Sequence, residues 1–590
     1  MLETKTNVPI EVTFRAASSP ADPFAGLAVD VDWLGPRGAS RTVPAFWDGD
    51  DRYAVRFAAT EPGTYTYTTR ATDPGDAGVH GQTGSLTVRP YEGTNPLYEH
   101  GRLRIADDHR HFCHDDGTPF LWLADTQWQM FTSRLDWPDG FATLEDDRVA
   151  KGFSVVHVVA GPLSGFEVDE SWHPHQANEA GWPWERGWAR INPAFYQHVD
   201  RKIAGLVDRG LLPCIVGMWG YYLNLMGIDR VRRHWRYLVA RYGALPVVWC
   251  LAGEVQMPIY SVGRAGGPAL DVAVQEQADG WTEVSKYVRS IDPFGNLITT
   301  HPAAIGNVDS LSDASGASPN DSSRLSGSAR SVLRQDAVLD FDMLQCGHFG
   351  FQLLEPTVDL VQAAIAQDPP MPMVNGEVNY EGIAGSCWQE IQRFHFWTCM
   401  ADGGAGFSYG AAGLWVFWSR STFSKGGDSE YMEDAGGGPW EDVMHLPGSG
   451  QVGLGRRFLE RFPWTAMERI HEPRAVALGR KSSFGFGIPG VVSIYYVPTG
   501  LEPEPLHGIL EGGERKFFWW RTLLPIQVGP DTHFEAHWFD PRSGDETRIG
   551  PVQPDAEGFW TPPAKPSLLD WVLVLIDPDR LASIRVQEVT

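Results

Sequence analysis

The chain has 590 residues, 43% apolar and 21% charged, a globular composition that excludes a largely disordered polypeptide. Its formal charge of −26 repels nucleic acid and anionic membrane surfaces, and no apolar run nears the ~18 residues of a membrane span. The balance points to a soluble protein with a neutral or cationic ligand.

The start, Met1 to Lys5, carries no apolar segment and no cleavage site. The six cysteines, Cys113, Cys214, Cys250, Cys346, Cys387 and Cys399, are scattered and form no CxxC pair. Both features predict a cytoplasmic, reducing location with neither a disulfide frame nor a zinc site. There are 24 tryptophans. Most belong to the core, and some can serve as platforms for the apolar C–H faces of sugars.

Residues 1–92 read as all-β. Ile10 to Phe14, Tyr53 to Phe57 and Tyr65 to Thr69 alternate in polarity between Gly- and Pro-rich turns, which predicts a β-sandwich. From 97 to 465 eight short apolar runs alternate with helical periods. The runs are Phe120 to Ala124, Phe153 to Val159, Leu212 to Val216, Val247 to Leu251, Leu297 to Thr300, Val338 to Leu344, Met371 to Val374 and Ala405 to Tyr409. Helices are expected at Ala194 to Arg209, Val231 to Tyr242, Val272 to Ile291 and Thr357 to Ala366. Eight such units predict a (β/α)8 TIM barrel. A doubly wound sheet is the alternative, but the glycine fingerprint after the first strand is missing. Asp309 to Ser331, rich in Ser, Asp, Gly and Ala, reads as a linker or a loop over the barrel mouth. Residues 466–590 return to β texture, as in Gly490 to Val497 and Trp571 to Ile576, and predict a second sandwich. The fold class is therefore multidomain, a central barrel between two β-sandwiches.

Barrel enzymes carry their chemistry just past the strand C-termini. The fourth run leads into Gly253-Glu254 and the seventh into Asn375-Gly376-Glu377. An acid beside a buried run is costly unless it is paired or functional. Two carboxylates facing each other across a sugar are what glycoside hydrolysis needs. The bland alternative is two structural salt bridges. Other polar or aromatic residues past the runs are Asp125, Trp128, Trp219, His301, Gln345, His348, Tyr409 and Trp415. They are candidates to bind sugar hydroxyls or to hold the carboxylates. Trp182, Trp184 and Trp188 crowd the segment after the second run, where at least one is expected to border the pocket.

An ordered set of motifs resembles the apiosidase-like (β/α)8 glycoside hydrolases. It comprises Ala124 to Trp128, Lys151 to Val155, Ile191 to Tyr196 with Asp200, Gln345 to His348, Asn375 to Glu381, Tyr409 to Trp415 and Leu446 to Gly448. The first 90 residues resemble the N-terminal sandwich often fused to such barrels, and the tail resembles a collagen-binding-type β-sandwich. The resemblance implies a glycosidase that releases terminal sugars from glycans or glycosides, with Glu377 as nucleophile and Glu254 as acid/base, and with no cofactor. The family pattern has Gly-Asp after the fourth strand, whereas this chain has Gly253-Glu254, so the sugar need not be apiose. It also lacks the Asn that many barrels of the wider clan carry before this acid.

Three other readings compete. Gly406-Phe407-Ser408-Tyr409-Gly410 matches the G-x-S-x-G nucleophile elbow of serine hydrolases, but the following residues do not read as a helix. The pairs His109/His111 and His173/His175 suit a metal only with further ligands. A non-catalytic carbohydrate-binding protein would have no use for paired strand-end glutamates. The sequence leaves a homo-oligomer open. Long segments after strands, 161–193, 255–270, 302–337 and 419–450, should wall the site into a pocket suited to exo action.

Overall fold

The computed structural model describes residues 2–18, 20–163, 176–257, 268–304, 327–333, 338–348, 350–383, 385, 387–420, 437–470, 484–499 and 525–588. At its centre is an eight-stranded parallel sheet: β1 Trp122–Thr126, β2 Val155–Val159, β3 Leu212–Val216, β4 Val248–Cys250, β5 Ile298–Thr299, β6 Asp342–Gln345, β7 Met373–Glu377 and β8 Gly406–Tyr409. Every strand residue is buried. Burial on both faces is why these strands read as unbroken apolar runs. β8 closes onto β1, with Gly406 opposite Trp122. A Cβ at Gly406 would lie 2.3 Å from the Trp122 Cβ, so glycine is required for this approach. The seam between β5 and β6 is held by Asp340 N–H to Ile298 O at 2.8 Å and by the Thr299 hydroxyl to Phe341 O at 2.9 Å. The seventh strand runs further than its apolar residues suggest and includes Asn375, Gly376 and Glu377.

The helices Pro193–Asp208, Ile228–Tyr242, Pro268–Ile291, Leu354–Ile365 and Gln389–Ala401 surround the sheet. Gln389–Ala401 is buried from Ile391 onward, because the barrel covers one side and the C-terminal sheet the other. Trp397 stacks on Tyr496, and the Arg393 guanidinium makes two bonds to Asp570, at 2.6 and 2.8 Å. Among the described residues that C-terminal sheet has six strands, with a separate two-stranded ribbon of Ile526–Gln527 and Phe559–Trp560.

At the N-terminus a five-stranded sheet faces a three-stranded one, and Trp33 stacks on Phe57 between them with centroids 4.1 Å apart. This sandwich docks on the barrel through Asp200, which accepts from Arg56 at 2.6 Å and Arg241 at 2.7 Å. Both guanidiniums hold the Asp200 carboxyl far below its ordinary range despite burial. A small sheet, Leu103–Ile105, Phe112–His114 and Pro119–Phe120, plugs the barrel floor, with Phe112 against Trp122 and Phe341. The small sheet closes one end of the barrel, the sandwiches flank its helices, and the strand C-termini are left to build a site.

Candidate active site

Past β4 the chain stays pinned to its neighbours. Leu251 N–H donates to Thr299 O, Gly253 N–H to Met218 O and Val255 N–H to His301 O. Between the last two anchors Glu254 adopts φ +46, a left-handed conformation that costs a residue with a side chain. Glu377 is the last residue of β7, and its carbonyl accepts from Cys346 N–H at 2.9 Å. Both glutamates are deeply placed yet keep some access, 8% for Glu254 and 5% for Glu377.

Their surroundings differ. Glu377 Oε1 accepts from His348 Nε2 at 2.9 Å and from the Gln345 amide at 3.2 Å. His301 Nε2 lies 3.0 Å from Oε2, outside hydrogen-bonding alignment, as a close electrostatic neighbour. Burial alone would raise the Glu377 carboxyl. The two imidazoles outweigh it and hold the group well below the ordinary carboxylate range. Glu254 meets the opposite outcome. Burial raises it, and the Glu377 charge raises it further. The Trp219 N–H, His301 and the Gln345 amide only partly offset this. Trp219 Nε1 donates to Glu254 Oε2 at 3.1 Å. Gln345 thus reaches both carboxylates.

An aromatic floor joins the two. Trp128 sits edge-on to Trp219 at 5.7 Å and to His301 at 5.3 Å, and its Nε1 donates to the Tyr380 hydroxyl at 2.9 Å. Tyr380 lies against His348 at 4.2 Å and Trp415 at 6.0 Å, and its hydroxyl also engages Glu377. Tyr380 was not singled out from sequence. Its signal was available, three residues past Glu377 in an otherwise buried run.

Of the other expected residues, Gln345, His348, Trp128, Trp219 and Trp415 gather around the glutamates. The His301 side chain has no exposed surface, so it can hold Glu377 but cannot touch a sugar. Asp125 and Tyr409 require correction as sugar contacts. Asp125 has no exposed surface and accepts from Arg148 Nε at 2.6 Å, a cation that offsets its burial in part. Tyr409 is equally buried, and its hydroxyl donates to Glu381 at 2.6 Å.

Trp184 donates to His234 Nδ1 at 3.2 Å and meets Phe24 edge-on, so it packs this segment onto the barrel and the N-terminal sandwich. Trp188 is half-buried, edge-on to Tyr222 at 5.5 Å, and Trp182 is half-buried. Ser408 has no exposed surface. Its hydroxyl points at His157 Nε2, 3.4 Å away inside the barrel, where no substrate reaches it. Ala411 to Phe417 is a run of turns and not the helix that a nucleophile elbow needs. His111 pairs with Asp108 on the barrel-floor hairpin, while His173 and His175 lie outside the described residues. Among the described residues no group of three His, Cys, Asp or Glu side chains could hold a metal. Parts of 161–193, 255–270, 302–337 and 419–450 also lie outside them.

The sequence profile of the apiosidase-like catalytic domain matches residues 106–466. A domain of unknown function matches 5–72, and the "putative collagen-binding domain of a collagenase" matches 525–576. No curated protein matches the chain. Among solved structures, a "putative glycoside hydrolase" from Bacteroides vulgatus is 17% identical, with a TM-score of 0.65 over 98% of this chain and 100% of that one. A glycoside hydrolase family 5 protein from the same organism is 19% identical, with a TM-score of 0.60 over 83% of this chain and 95% of its own. A further glycoside hydrolase is 18% identical, with a TM-score of 0.58 over 83% and 99% of the two chains. These likenesses concern the fold.

Proposed function

Because the chain belongs to the apiosidase-like family and is a glycosidase, we propose that it hydrolyses terminal glycosides with retention, through Glu377 and Glu254. Glu377 attacks the anomeric carbon as the glycosidic C–O bond breaks, and Glu254 gives its proton to the departing oxygen. Glu254 then takes a proton from water, which attacks the anomeric carbon and releases Glu377. The observation that carries this reading is the opposite treatment of two neighbouring buried carboxylates. One is shifted down by imidazoles and the other up by burial and by its partner's charge. Environments that push two acids apart are how one site obtains a nucleophile and a proton donor at the same pH.

Retention draws support from Gln345. Its amide donates to Glu377 and also lowers Glu254, so the two carboxyls share one side chain, as a closely spaced pair would. The remaining aromatic and imidazole groups, Trp128, Trp415 and His348, are then the sugar's contacts. Exo action fits the length of the four segments that follow the second, fourth, fifth and eighth strands in the sequence. A furanose or apiose-like terminal residue fits the family, and the glutamate at 254 allows a different sugar. We read 97–465 as the catalytic unit, and 1–92 and 466–590 as its flanking sandwiches. The six free cysteines favour a reducing, cytoplasmic setting.

The test is a panel of nitrophenyl glycosides, furanosides and apioside included, run with the parent and with Glu254→Gln and Glu377→Gln. Turnover of at least one substrate that Glu377→Gln loses, with Glu254→Gln impaired more on poor leaving groups than on nitrophenolates, supports the reading. Turnover that survives in both variants contradicts it. Monosaccharide release without mid-chain cuts supports exo action, and an early ladder of oligomers opposes it.

A further inference from the structure

Burial and the nearby negative charge of Glu377 both oppose ionisation of Glu254. An acid/base must ionise and be reprotonated in every turnover, so something must keep its charged form within reach. The indole N–H of Trp219, 3.1 Å from Oε2, is a donor that carries no charge and cannot act as an acceptor.

The backbone is shaped around this contact. Trp219 N–H is fixed to Pro162 O at 3.0 Å and Gly220 N–H to Gly253 O at 2.7 Å, so Trp219 and Gly253 lie side by side as a parallel bridge. The six-membered face of the indole fills the space where a side chain at 253 would begin. A Cβ there would stand 2.5 Å from Trp219 Cε3 and 2.6 Å from Cζ3, distances at which one partner must move. Trp128 closes the ring's other approach, edge-on at 5.7 Å. The next residue, Glu254, takes its left-handed φ and thereby meets the indole N–H. Gly253, Trp219 and the strained Glu254 are three parts of one arrangement.

We infer that Trp219 is the positioning residue of the acid/base, acting through the indole N–H, and that Gly253 is glycine to admit its ring. This deepens the proposed function and rests on Glu254 being the acid/base. Trp219 is accordingly assigned to the carboxylate and not to the sugar. It supplies, from the segment after β3, a hydrogen bond that a polar side chain at position 253 cannot supply here, because the indole occupies that space.

The experiment measures kcat/KM against pH, and rates against leaving-group acidity, for the parent, Trp219→Phe and Gly253→Ala, using the aryl glycoside that the parent turns over best. Trp219→Phe keeps an aromatic ring and removes the donor. Without it the charged form of Glu254 loses support, so the alkaline limb should move up by about half a pH unit or more. Rates with poor leaving groups should fall about tenfold or more below those with good ones. Gly253→Ala, which displaces the ring, should give the same two changes in smaller degree. A folded Trp219→Phe with the parent's alkaline limb and leaving-group dependence overturns the inference. Should Trp219→Phe not fold, Gly253→Ala decides by the same two readouts. Glu254→Gln separates this from the underlying reading. If it keeps the parent's alkaline limb, Glu254 is not the acid/base, and the fault lies with the proposed function and not with the role of Trp219.

Discussion

The barrel buries two sets of acids, and they are compensated in different ways. Behind β1, Asp125 is paired with Arg148, neither having any exposed surface. Its neighbour Glu145, on the helix Asp139–Lys151, is fully buried and has no cation bonded to it among the described residues, with the Gln127 amide its polar neighbour. Burial, then the Asp125 charge, pushes Glu145 up to about 8, while burial raises Asp125 as well, against the lowering by Arg148. Across the barrel mouth, Glu254 and Glu377 keep slight exposure and are served by an indole, an amide and two imidazoles. A fixed guanidinium occupies the Asp125 carboxyl and offsets its burial only in part, leaving it above its ordinary range. Neutral or titratable donors leave a carboxyl able to exchange a proton or form a bond. A buried acid pair is therefore no sign of catalysis by itself; the kind of partner and the access decide.

The comparison breaks most visibly at Glu377. Glu377→Ala should lose about 10⁴-fold or more of the parent's turnover and regain part of it with azide, which enters the vacated space and gives a product of inverted anomer. Steady-state rates with and without azide, and the anomer of the azide product, check this. Glu254→Ala comes next. It should lose about 10²–10⁴-fold on poor leaving groups and far less on nitrophenolates, which need no acid. Uniform loss across leaving groups would remove Glu254 from its role.

The pH profile sharpens the same contrast. Glu377 must be ionised, so activity rises as pH passes its lowered value, and Glu254 must be protonated, so activity falls as pH passes its raised one. His348→Ala removes a donor that favours ionised Glu377, and its acidic limb should move upward by about half a unit to one unit. An unmoved acidic limb in the folded variant would deny the imidazole this function.

The other acid set should respond in stability and not in activity. Glu145 has an ordinary value of 4.5 when unfolded and a raised one of about 8 in the fold. Folding therefore takes up a proton between those values. The associated stability is complete below about pH 4.5 and is lost progressively toward pH 8. Glu145→Gln, with no proton to hold, should flatten this slope and exceed the parent near pH 8 by about 2–4 kcal/mol, with turnover unchanged. Denaturant unfolding at pH 5 and pH 8 measures it. A parent slope that survives in the variant would place the titration elsewhere.

Much of this was legible in the chain. Strands buried on both faces announce themselves as apolar runs, and each of the eight runs overlaps a barrel strand. The two glutamates stood out because a charge directly after such a run is rare. A polar group at the end of a run misled at Asp125 and Tyr409. A residue's place along a strand does not reveal its partner, and theirs are Arg148, on the following helix, and Glu381, beyond another strand. The burial of His301 was equally hidden, since a strand-end histidine reads alike whether it meets a ligand or a neighbouring carboxylate. The left-handed turn at Glu254 left no trace either, because glycine, its usual marker, stands one residue earlier for a different reason, the approach of Trp219.

The central claim is that Glu377 forms a bond to the sugar, and the stereochemistry of hydrolysis tests it most directly. Proton NMR of the first sugar released from an aryl glycoside, read before mutarotation, should show the anomer of the substrate. Initial release of the opposite anomer would mean a single displacement by water, and would contradict the account.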